Sequence, residues 1–127
     1  GDVVHAEAKR GQDALDTIIS TDDGARSIGE IALVPHSSPI SQSDLLFYNT
    51  LYDENASNHL ALGQAYRFTL EGGTEMSADE FTEAGGNSSL VHVDFMMGSG
   101  DMDIDGITSD GTRAPIFRQG EWAFEVE

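Results

Sequence analysis

Residues 92 to 94 read His92-Val93-Asp94 and lie among the apolar residues Leu90, Val91 and Phe95. In an extended chain successive side chains point to opposite faces, so His92 and Asp94 share a face with their bases roughly 7 Å apart. An imidazole nitrogen and a carboxylate oxygen so placed can close on one divalent cation. For an isolated His-x-Asp, a core histidine hydrogen-bonded to the aspartate is the commoner outcome. The apolar flanks sharpen the question, because a carboxylate withdrawn from water has to be paired or metal-bound.

His59 and Tyr66 are seven positions apart, nearly two turns of an α-helix, so a helix through both would place them on one stripe. A packed tyrosine and a partly exposed histidine explain that spacing more often, since tyrosine is an uncommon ligand. Glu30 stands among Ile28, Ile31 and Leu33, where a carboxylate needs either solvent on its face or a cation. Glu54 and Asn55 fall where a helix would begin, and side chains of their kind assist the cap and the helix dipole. Asp101, Asp103 and Asp105 alternate in GDMDIDG. They lack the closing glutamate and flanking helices of a calcium-binding hand, and read as one face of a strand. Neither a Gly-x-Ser-x-Gly elbow nor a Gly-x-x-x-x-Gly-Lys phosphate loop occurs, which removes serine-hydrolase and P-loop chemistry. The chain has no cysteine, so a metal site here has to be built from histidine, carboxylate and tyrosine.

Elements must position these groups. Residues 3–8 read as a short strand or strand end, and apolar Ala14, Leu15, Ile18 and Ile19 predict a helix over residues 11–20. A β-branched run predicts a strand over 28–34, followed by an irregular, proline-bearing loop over 35–43. Asp53 can cap a helix start, and the apolar positions that follow predict a helix over about 53–65. Ser77-Ala78-Asp79-Glu80 is a capping box opening a short helix that Gly85-Gly86-Asn87 should end. Residues 90–96 read as a strand, and Asp110-Gly111 and Gln119-Gly120 as turns in a mostly β last third. The resulting class is α+β, with a mixed, largely antiparallel sheet and a few helices. No repeat, heptad run or composition break divides the chain, which predicts one globular domain over residues 1–127.

The chain is 127 residues long and 39% hydrophobic, enough for a modest core. It carries 23 acidic against 6 basic residues, a formal net charge of −17. Phosphate backbones and anionic lipid surfaces would be repelled, which argues against nucleic-acid and membrane partners. Such acidity commonly means a well-solvated surface, and it equally supplies the hard oxygen ligands that divalent cations use. No apolar stretch approaches a membrane span. The start at Gly1-Asp2-Val3-Val4 suggests a soluble chain that begins mid-protein, and the lack of cysteine fits the cytoplasm.

Four segments, GARSIGEIALVPHSSPIS, LFYNTLYDENASNHLALGQAY, LVHVDFMMGS and DIDGITSDGTRAPIFRQGEWAF, together resemble the C-terminal portion of the aminopeptidase T and aminopeptidase S family of metallopeptidases. The resemblance spans nearly the whole chain after Gly24, and FYNTLYDENASNHLALG and HVDFMMGS are its most specific parts. It implies metal ligands at Glu30, His59, Tyr66, His92 and Asp94, with one further glutamate from a preceding segment. It also implies that residues 1–127 are a C-terminal catalytic domain that follows an N-terminal α/β domain. The expected activity is metal-dependent aminopeptidase action on peptides, by a cytoplasmic homodimer with two divalent ions: zinc, cobalt or manganese. Glu30 is then the bridging carboxylate, Tyr66 a ligand or a stabiliser of the tetrahedral intermediate, and Glu54 the nominee for general base. Asn58 and His36 depart from the family pattern, where a small residue or cysteine and an aromatic are usual. Two other readings stand beside this one: an inactive metal-binding or dimerisation fragment of such an enzyme, and an acidic interaction domain in which His59 and His92 are ordinary core residues.

Overall fold

The computed structural model describes residues 1–126, in two units: Gly1–Ile31 with Leu60–Phe95, and Ala32–His59 with the chain from Met96 onward. In chain order the elements are α1 (Gln12–Ile19), β1 (Ile28–Ala32), α2 (Pro39–Ser43), α3 (Thr50–Asp53), β2 (His59–Gly63), α4 (Ala78–Glu83), β3 (His92–Met96), β4 (Ile104–Ile107), β5 (Arg113–Arg118) and β6 (Glu121–Trp122). This is the expected α+β class. No helix among the described residues is long and apolar enough to cross a membrane.

The first unit carries most of a three-stranded sheet in the order β1-β2-β3. The end of β2 meets the starts of both neighbours: Gly63 N donates to Ser27 O at 2.8 Å, and Gln64 N to Val91 O at 2.7 Å. Its strands are therefore antiparallel. Gly63 adopts φ +96°, and a Cβ there would lie 2.1 Å from Val91 O, so only glycine lets the chain turn this close to β3. In the same unit, α4 begins with the expected capping box, Ser77 and Glu80 each bonding the other's backbone. The helix buries Phe81, whose ring has the Arg67 guanidinium 4.8 Å from its centroid. Gly85, at φ +97°, ends the helix as the glycine pair predicts.

In the second unit β4, β5 and β6 form an antiparallel meander in which Phe117 pairs with both Ile104 and Trp122. Phe117 is fully buried, and its ring lies 4.5 Å from that of Trp122. The Gln119-Gly120 turn has positive φ at both residues, 52° and 75°, which suits a tight two-residue hairpin. Asp105 pairs with Arg118 and, at 3.6 Å, with Arg113.

Four expectations need correction. The helix over residues 53–65 is instead the short α3, a 3-10 turn at Glu54–Ala56 and strand β2. Leu60-Ala61-Leu62 is an uninterrupted apolar run with Ala61 and Leu62 buried, which suits a central strand enclosed on both faces. A left-handed Gly63 then forbids helical continuation. Residues 3–8 form no strand, because the pairing ends with the bridge of Asp2 to Ser27 and the bond from Val3 N to Arg26 O. The loop over 35–43 contains α2, since Ser38 caps it and Pro39 suits a first helical turn. Of the three alternating aspartates only Asp105 lies on a strand, and Asp103 instead accepts from Gln119 N at 2.8 Å.

Candidate metal centre

Strand alternation in β3 puts His92 and Asp94 on one face, as their spacing predicts, and Glu30 of β1 joins them. One ligand-capable atom from each of Glu30, His92 and Asp94 lies within 4.8 Å of the others. His92 Nε2 is 3.3 Å from Glu30 Oε2 and 3.4 Å from Asp94 Oδ1. All three side chains are largely shielded, Asp94 the most, at 9% exposure. Asp94 Oδ1 is buried and accepts no hydrogen bond from the described residues. A buried carboxylate oxygen without a donor is costly, and a cation is one of the few things that satisfies it.

The His92 ring is held in a defined state. Its Nδ1 lies 2.7 Å from Gln64 O, and a carbonyl only accepts, so Nδ1 carries the proton. Nε2 is then left to present a lone pair to a cation, or a proton to the two carboxylates. A ligating histidine commonly donates its other N–H to a backbone carbonyl in this manner. Tyr66 follows β2 in the loop that enters the 3-10 turn Arg67–Thr69, and its ring centroid lies 4.8 Å from that of His92. So Glu30, Tyr66, His92 and Asp94 come together within the first unit, while the shared helix expected for Tyr66 and His59 does not exist.

Glu54 and His59 belong to the second unit. Glu54 opens the 3-10 turn, and His59 begins β2 at 3% exposure. A carboxylate oxygen of Glu54 and a ring nitrogen of His59 lie within 4.8 Å. His59 Nδ1 donates to Ser57 O at 3.0 Å, which again leaves Nε2 as the outward atom. Asn58, noted above only as a departure, is 4% exposed and braces this stretch. Its Oδ1 accepts from Val34 N at 2.5 Å, and its backbone oxygen from Met97 N and Gly98 N, each at 3.0 Å.

The loop that launches β3 is anchored by Asp22, whose carboxylate accepts from Leu90 N at 2.7 Å, and from Ser89 Oγ and Ala25 N at 2.8 Å each. The Leu90 bond, with the others behind it, holds the Asp22 carboxyl below its ordinary 3.8. Sequence reasoning missed both this anchor and the Gln64 carbonyl. An aspartate in Thr21-Asp22-Asp23-Gly24 carries no signal of partners at Ser89 and Leu90, and a main-chain acceptor carries no residue-type signal.

Residues 1–122 match the thermophilic metalloprotease family M29. The chain is 60% identical over 124 residues to aminopeptidase AmpS of Bacillus subtilis (strain 168), covering 98% of this chain and 30% of that protein. It is 58% identical to aminopeptidase 2 of Geobacillus stearothermophilus, covering 99% of this chain and 30% of that protein. Among solved structures it superimposes on wild-type AmpT from Thermus thermophilus with a TM-score of 0.86 at 49% identity, over 98% of this chain and 30% of that one. The chain thus spans about 30% of the length of the curated relatives it matches. With these matches added to the segments singled out above, the chain belongs to the M29 family of metalloproteases.

Proposed function

We propose that this chain provides most of the metal ligands of an aminopeptidase that removes N-terminal residues from peptides with two divalent ions. The observation that carries the reading is the buried, donor-free Asp94 Oδ1 facing a His92 Nε2 whose ring partner Nδ1 is already committed. Glu30, His59, Tyr66, His92 and Asp94 would hold the ions, as the family resemblance implies. Glu30 would be the carboxylate available to both ions. Zinc, cobalt or manganese suits such nitrogen and oxygen donors. When bound, such ions polarise a peptide carbonyl and lower the pKa of water.

The chain's own groups do the rest. The carbonyls of Gln64 and Ser57 keep the two imidazoles turned so that Nε2 is the donor atom. Tyr66, with its ring against His92, is placed to ligate or to donate to the oxyanion that develops on the substrate. Glu54 serves as the proton carrier, taking a proton from the attacking water and returning it to the departing amine. The family resemblance further supports residues 1–127 as one C-terminal catalytic domain following an N-terminal α/β domain, in a cytoplasmic homodimer.

Metal content of the full-length protein after dialysis against zinc or cobalt tests the reading. The expected result is two ions in the parent protein, and loss of bound metal in both His92→Ala and Glu30→Ala. Folded variants with the parent's metal content would overturn the ligand assignment.

A further inference from the structure

We infer that Gln64 is a positioning residue for His92, gripping at once the peptide whose carbonyl accepts the ring's Nδ1–H hydrogen bond and the loop that carries the ring. The inference rests on the metal-binding reading for its consequence, although not for its geometry. Gln64 follows left-handed Gly63, where the chain leaves β2. Its own N–H is bonded to Val91 O at 2.7 Å, one residue before His92. Its carbonyl accepts a hydrogen bond from His92 Nδ1–H at 2.7 Å. The next amide along, Ala65 N, donates to Asn87 O at 2.9 Å, so the 64–65 peptide plane is tied at both edges.

The Gln64 side chain completes the grip. Its Oε1 accepts from Ser89 N at 3.0 Å, and its Nε2 donates to Ala65 O at 2.7 Å. Ser89 lies on the segment that leads into β3, where its hydroxyl accepts from Val91 N at 3.1 Å and donates to Asp22. One amide group therefore links the carbonyl-bearing loop to the backbone that delivers the imidazole. Glutamine fits because the job needs an acceptor and a donor on one rigid plane. Removing it leaves the backbone bond from Gln64 N to Val91 O as the tie between the 64–65 peptide and the 88–91 segment, so the Nδ1 acceptor and the Nε2 direction are held less firmly. Supporting contacts of this kind typically change metal affinity about 10- to 100-fold when removed.

The test compares the full-length protein with Gln64→Met, which keeps the stem and removes both polar atoms, and Gln64→Glu, which keeps an oxygen for Ser89 but replaces the donor with a charged acceptor. Zinc affinity is read by chelator competition, and the His92 Nδ1–H resonance by ¹⁵N-histidine labelling of the metal-free protein, assigned with His92→Ala. Expected for Gln64→Met is about tenfold or greater weakening of zinc binding with loss of the slowly exchanging Nδ1–H signal. Gln64→Glu should keep that signal in part. Parental affinity and an unchanged Nδ1–H signal in folded Gln64→Met, while His92→Ala loses zinc, would overturn the inference alone. Should Gln64→Met not fold, the same two readings on Gln64→Glu decide, unchanged values again overturning it. A parent protein that takes up no zinc would sink the metal reading instead, and the Nδ1–H signal would then judge Gln64 by itself.

Discussion

His92 and His59 donate from the same ring atom to a backbone carbonyl, yet the carbonyls come from different distances along the chain. The acceptor of His59 is Ser57 O, two residues back on the entry to its own strand, whereas that of His92 is Gln64 O, 28 residues away. Around His92 the supports are side chains reaching across sequence to backbone: Asp22 to Leu90, Gln64 to Ser89, and Asn87 to Gly24 and Gly63 at 2.8 and 2.6 Å. In the second unit, order comes from the β4-β5-β6 ladder, the buried Phe117, the Asn58 amide, and the carboxylates of Glu121 and Asp103, which accept from Ser37 N and Gln119 N at 2.8 Å each. A histidine pinned locally depends on its own strand. One pinned at long range depends on everything that holds the partner loop, so damage away from the site should reach His92 more readily than His59.

The largest effects should come from emptying each unit's core. Phe81 is 1% exposed and Phe117 fully buried, and Phe81→Ala and Phe117→Ala should each cost about 3–5 kcal/mol in denaturant unfolding. They should differ in reach. Phe81→Ala should also raise amide exchange at Gln64, Ala65 and Ser89 and weaken the His92 Nδ1–H signal, while Phe117→Ala should leave that signal in place. The reverse pattern would break the comparison. A smaller loss, about 1–3 kcal/mol, is expected from Asn58→Ala, which leaves the Val34 N–H without its acceptor. Its spectroscopic mark should fall on His59 and not on His92.

This difference in reach also explains what could be read from the sequence. Strands β1 and β3 showed as β-branched runs, α4 as a capping box, and the last hairpin as Gln119-Gly120, because each signal is local to the element it specifies. The aminopeptidase family showed in long shared segments and is borne out by the M29 match. The stretch from His59 to Tyr66 misled, because apolar residues at helical spacing there also form the run Leu60-Ala61-Leu62, and only enclosure by β1 and β3 decides for a strand. The supports of His92 stayed hidden for the same reason that makes them vulnerable. They join residues 22, 64, 87 and 89 through backbone acceptors and donors, which no spacing in one segment betrays.

The mildest probe of the comparison is acid. Asp22 in the first unit and Asp110 in the second both have folded-state values below the ordinary 3.8. The Leu90 backbone bond is the main cause for Asp22. For Asp110, the Thr108 hydroxyl, with further bonds from Thr112, brings the value to about 2. A depressed carboxyl stabilises the fold wherever it is ionised in both states, and that contribution fades once pH drops below the unfolded value toward the folded one. Both contributions should thus be whole at neutral pH and decline below 3.8, Asp110's lasting down to about 2. Asp22→Asn and Asp110→Asn should each lower stability at neutral pH, flatten the acid limb of a stability-versus-pH series and converge on the parent at the acid end. They should part in what else they move. The partners of Asp110 are the turn residues Thr108 and Thr112, so its replacement should remain silent outside that hairpin. Those of Asp22 lie 67 and 68 residues on, at Ser89 and Leu90, so Asp22→Asn should also speed amide exchange at Leu90. Equal silence from both variants would mean that the long-range supports of the first unit are no more consequential than a local turn.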